Sequence, residues 1–134
     1  MATFNKFNVF VADVANKVHN LSSDQLRVAL TNTIPTATDT TLQTEISYTN
    51  LSGTNPTYIT TTSSTQTSGT YKLILTNLTL TATGAVGPFQ YVEIYNNTAS
   101  KLIGWYNYGS ALTLASGDTF TVSFDATNGL IQLI

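Results

Sequence analysis

The chain has 134 residues, a formal net charge of −2, five Lys and Arg together, and no cysteine. A single domain of this length buries about two thirds of its unfolded surface, so it needs neither disulfide nor metal to hold a core. The missing thiols exclude thiolate catalysis, zinc fingers and iron–sulfur chemistry, and so few cations give no electrostatic footprint for nucleic acid or an anionic membrane.

Charged residues make up 9% of the sequence, against about 25% in ordinary soluble domains. Thr, present 26 times, supplies much of the polar surface, and its β-branched side chain suits pleated, half-exposed strands. A surface with so little charge offers weak repulsion between copies, which points toward assembly. The first residues, MATFNKFNVFVADV, lack a basic stretch followed by a continuous apolar run and a small-residue cleavage site. The expectation is synthesis in a cytosol without export, with the mature chain starting at or near Met1.

In chain order, Phe4, Phe7, Val11, Val14 and Val18 fall on one stripe of a helix, with Thr3 available as N-cap. Its β-branched content makes this a helix that needs a surface to lie on, either its own sheet or a neighbour's. Residues 1–20 are therefore read as an N-terminal helical segment or arm, and residues 21–134 as the main domain. His19 ends that helix, where a cation suits the macrodipole.

Ser22-Ser23-Asp24-Gln25 has the form of a capping box, yet Leu26, Val28 and Leu30 alternate with Arg27, Ala29 and Thr31. The early stop at Asn32-Thr33-Ile34-Pro35 favours a strand. Residues 35–70 are Thr-rich, with apolar pulses at Ile46/Tyr48 and Tyr58/Ile59 that predict two short strands within long loops.

Tyr71, Leu73 and Leu75 alternate, and Leu78, Leu80 and Ala82 continue in the opposite phase, which predicts one strand with a bulge around Thr76-Asn77. After a turn over residues 84–88, Phe89, Tyr91, Glu93 and Tyr95 share one face of a strand, and Leu102 to Tyr108 returns as its hairpin partner. Phe120, Val122 and Phe124 point inward from the next strand, and Leu130 to Ile134 forms the last. Seven to nine short strands separated by turns predict a mainly β fold, an antiparallel β-sandwich of jelly-roll-like arrangement with a short N-terminal helix.

Six aromatic residues lie between Gly87 and Gly109: Phe89, Tyr91, Tyr95, Trp105, Tyr106 and Tyr108. Alternation requires part of this set to face a core, with Phe89, Tyr91 and Trp105 the candidates. Tyr106 and Tyr108 fall outward, where tyrosine stacks on sugar rings or anchors a protein interface. The seven carboxylates are dispersed, and a glycosidase needs two across one cleft; only Glu93 stands among aromatics. One histidine supports no catalytic triad, and no Gly-rich phosphate loop or calcium loop is present. The expectation is a protein that is not an enzyme and uses no cofactor or metal.

The runs VHNLSSDQLRVALTNTIP, SGTYKLIL, GPFQYVEIYNN, LIGWYNYGSALTLASGDTFTVSFD and NGLIQLI together resemble a family of short structural proteins of tailed bacteriophages. The resemblance spans nearly the whole chain and rests on strings of strand and turn residues. It implies a capsid decoration, or cement, protein: a β-sandwich homo-oligomer, often a trimer, seated on the outer surface of the virion's head and bound to the major capsid protein. It carries over no catalytic residue. Phe4, Phe7, Phe10, Val11 and Val14, with Tyr106 and Tyr108, are the candidate assembly interface. Two other readings stay open. One is a tail-tube or head–tail connector subunit. The other is a carbohydrate-binding module of a fibre or adhesin, with Trp105, Tyr106 and Tyr108 as its stacking platform.

Overall fold

A computed structural model describes residues 2–134. The chain opens with β1 (Phe4–Lys6), α1 (Asn8–Ala15) and β2 (Leu26–Thr31), and after a long irregular stretch continues with β3 (Tyr58–Ile59), β4 (Thr61–Thr67), β5 (Thr70–Leu75) and β6 (Leu78–Thr81). It closes with β7 (Val86–Asn96), β8 (Lys101–Leu114), β9 (Thr119–Val122) and β10 (Ile131–Leu133). Strand pairing is antiparallel, in a five-stranded sheet of order β1-β8-β7-β2-β3, a three-stranded sheet β10-β5-β4 and a two-stranded sheet β6-β9. The architecture is a mainly β, antiparallel sandwich with one short helix, as the alternation predicts.

Period-two patterning explains the layering. Val28 and Leu30 of β2 lie opposite Ile94 and Val92 of β7, and all four face a core shared with Leu73, Leu75, Leu80, Val122 and Phe124 from the smaller sheets. The opposite face of β2 is buried too: Ala29 and Thr31 have no exposed surface. There the irregular stretch, residues 36–46, crosses the large sheet as a strap. The Thr31 hydroxyl donates to Thr44 O at 2.7 Å, Ile46 N–H donates to Leu30 O at 3.0 Å and Asn8 N–H donates to Ala37 O at 2.8 Å.

Four sequence expectations change. Residues 4–18 do not form one helix, because Phe4–Lys6 pairs with Tyr106–Gly104 as an edge strand and the helix is limited to Asn8–Ala15. Its N-cap is Phe7, without a side-chain cap, rather than Thr3. The phase change at Thr76-Asn77 is a strand break at which the chain leaves one sheet for another, not a bulge. Phe89 and Tyr91 do not share a face. The register shifts between them, so Phe89 enters the common core while Tyr91 pairs with Thr31 on the strap side.

A further difference lies in residues 35–70, where Ile46 and Tyr48 are not in a strand and β4, TTSSTQT, was not expected. No apolar alternation marks β4 because it is an edge strand whose side chains are largely in solvent. Its register is set by the turn, with Thr67 opposite Thr70 and Ser68 and Gly69 both at positive φ, 52° and 83°. That is the backbone of the tight hairpin turns that match strand twist.

Candidate contact surface

β1 and β10 each form one edge of their sheets, and α1 lies beside both. Between them runs a groove of about 280 Å³ lined by Phe4 and Lys6 of β1, Phe10, Val11 and Val14 of α1, and residues 130–133. The helix faces the groove because its apolar residues sit three and four apart, and its rim stays open. Val11 is 54% exposed and Leu133 48%, both large apolar side chains in contact with water.

Of the seven residues expected at an assembly interface, Phe4, Phe10, Val11 and Val14 meet here. Phe10 forms the floor, buried in the core. Phe7 and Tyr106 are also buried and present no surface. The Phe7 ring packs on Trp105 at 4.7 Å between centroids, on the strap side of the sheet. Tyr106, expected outward, points into the sandwich: it faces Val92 across the ladder and touches Phe4 and Phe124 at 5.5 and 6.2 Å. Tyr108 is half-buried, edge-on to Phe120 at 5.0 Å. Trp105 and Tyr106 thus lie on opposite faces, and with Tyr108 they make no continuous stacking platform. The sequence reading missed Ile131 and Leu133 as groove residues. Their strand was legible, but not its placement beside the other end of the chain.

A polar network occupies the strap side. Arg27 binds Glu45 through two nitrogens at 2.7 and 3.2 Å, and its guanidinium lies 5.0 Å from the Tyr95 ring centroid. Burial opposes ionisation of Glu45, but hydrogen bonds from Arg27 and Tyr48 hold its carboxyl below the usual range. The Tyr48 hydroxyl also accepts from Leu30 N–H at 2.8 Å, capping a donor of β2 that the ladder leaves free. Tyr48→Phe removes that acceptor, so a stability loss of about 1–3 kcal/mol is expected in urea unfolding, with the fold retained.

Glu93 stands at the centre of this face, fully buried. One oxygen accepts from Gln43 N–H at 3.1 Å, and the other has no partner. Burial, reinforced by Asp39 and Glu45, pushes its carboxyl up to about 7. His19 lies beyond the end of α1 rather than at its C-terminus. Its ring packs on Phe10 at 5.0 Å, and its Nδ1 is 3.0 Å from Asn96 Nδ2, which donates to Asp24 at 2.7 Å. Burial lowers its pKa against the pull of Asp13 and Asp24. Among the described residues no group of three or more His, Asp or Glu converges in a way that would hold a metal, and no helix is long and apolar enough to cross a membrane.

In comparisons with known proteins, no family model, no curated protein and no solved structure matches the chain.

Proposed function

We propose that this chain is a structural virion protein of a tailed phage, a decoration protein that attaches to the outer surface of the capsid through the groove between α1 and β10. The observation that carries the reading is that groove: an apolar cleft with Val11 and Leu133 in water, set between two open sheet edges. Exposed apolar clefts rimmed by polar surface serve protein contacts. The resemblance of the strand and turn runs to short phage structural proteins supports the same reading and supplies the partner, the major capsid protein. A small homo-oligomer, a trimer in this reading, lets modest individual contacts add up to stable attachment.

The experiment is co-sedimentation with capsids lacking the protein. Val11→Asp with Leu133→Asp places two charges on the groove rim without touching the core. The pair is expected to leave the thermal midpoint within a few degrees and to reduce attachment at least tenfold, the cost of desolvating a charge at an interface. Undiminished attachment would remove the groove from the reading. Light scattering on the free protein separates a trimer from the hexamer or larger ring expected of a tail-tube or connector subunit.

A further inference from the structure

Glu93 is the one fully buried carboxylate in the chain's described core, and the strap over residues 36–46 lies against it through Gln43. We propose that this strap is held by a proton: it stays seated while Glu93 is protonated and lets go of the sheet when that carboxyl ionises, uncovering the outer face and freeing the start of α1.

The geometry carries the argument. Glu93 sits on the middle strand of the large sheet, between Ala29 of β2 and Trp105 of β8, and neither side chain donates a hydrogen bond to it. The strap supplies a single hydrogen bond, from Gln43 N–H, and leaves Oε2 bare. It also brings two more carboxylates, Asp39 and Glu45, toward Glu93, while β2 brings one cation, Arg27. That cation is already committed to Glu45. Gln43 links the set, since its side chain donates to Asp39 at 2.6 Å while its backbone holds Glu93. An ionised Glu93 is therefore a buried charge facing like charges, and such a site relaxes by admitting water.

The strap is the part that can yield. It is Thr-rich and mostly exposed or half-buried, and a few hydrogen bonds tie it to the sheet. Segments of that kind open with little free energy while core strands stay closed. One of its ties, Asn8 N–H to Ala37 O, ends at the first residue of α1, so a released strap also loosens the helix that lines the groove. The inference does not depend on the virion reading.

The sign follows from linkage. The open strap leaves Glu93 near its ordinary value of 4.5 and the closed strap holds it near 7. Closure therefore binds a proton, and it weakens as pH rises through that interval and then levels off. Amide hydrogen exchange on the full chain, corrected for intrinsic base catalysis, reads this directly. Between about pH 5 and about pH 8, protection of Gln43 and Ile46 is expected to fall by about a hundredfold, with β7 and β8 unchanged. Glu93→Gln keeps an acceptor for Gln43 N–H and cannot ionise, so its strap should stay protected at the higher pH. If the amide variant fails to fold, the carbon-13 shift of the Glu93 carboxyl in the natural protein must follow the same midpoint as strap protection. Strap protection independent of pH, an equal fall in Glu93→Gln, or a parallel fall throughout β7 and β8 overturns the proposal.

Discussion

Replacing Phe7 with alanine is expected to destabilise the protein by about 4 kcal/mol, in the range seen when large buried aromatics are truncated. The position concentrates several roles. Phe7 is fully buried, joins β1 to α1 as the helix N-cap in extended backbone at φ −73° and ψ 144°, and donates its N–H to Ile103 O at 3.1 Å. Its ring lies on Trp105, so truncation leaves a cavity between the sheet and the start of the helix that neither can fill without moving. For a domain of this size the thermal midpoint should drop by roughly 15 °C. The chain contains one tryptophan, so fluorescence offers an independent reading: Trp105 loses its cover and its emission shifts to the red in the folded variant. A loss below about 1 kcal/mol would mean that the ring is not packed as described.

The second large effect concerns Gly104. This glycine sits under β1, and a Cβ there would meet the Phe4 ring at 2.2 Å and the Asn5 carbonyl oxygen at 2.4 Å. The ring alone could swing away, but a backbone oxygen of the paired strand cannot. Gly104→Val is therefore expected to push β1 off the sheet, at a cost of about 3 kcal/mol, with β7, β2 and the smaller sheets intact. Selective loss of exchange protection in residues 4–7 checks it, whereas unchanged protection there would show that the close contact does not exist. The variant also tests the proposed attachment, since a displaced β1 removes one wall of the groove and leaves the remaining domain folded.

Much of the fold was legible because strands with one face in the core declare it. Phe120, Val122 and Phe124 alternate in the sequence and pack inward in the structure, as do Leu73 and Leu75 of β5. The hairpin of β7 and β8 was legible for the same reason. Three things were not. β4 has no apolar alternation, since backbone pairing rather than burial holds it. The stripe Phe4–Phe7–Val11–Val14 fits a helix, yet an edge of the large sheet was open to Phe4–Lys6, and tertiary pairing overrode local periodicity. Tyr106 was placed outward by counting from Trp105, a choice that depended on which face of β8 the smaller sheets cover. Both faces prove occupied, one by the sandwich and one by Phe7 and the strap.

The candidate interface residues show the same limit. Phe4, Val11 and Val14 were found by hydrophobicity in one stretch of sequence, and the wall opposite them, residues 130–133, comes from the far end of the chain. Glu93 stood out as a carboxylate among aromatics. Its burial depends on the strap, whose Thr-rich sequence carries no periodic signal of where it lies.

The pairing of β1 with β8 sets an order of events during synthesis. Asn5 meets Trp105 across 100 positions of chain, so when β1 and α1 leave the ribosome their docking surface has yet to be translated. For most of that interval Phe4, Phe7 and Phe10 have no shelter within their own chain, and such exposed apolar segments are prone to mistaken association. Residues 4–10 are thus made well before the strand that covers them, and they wait for it through most of the domain's synthesis.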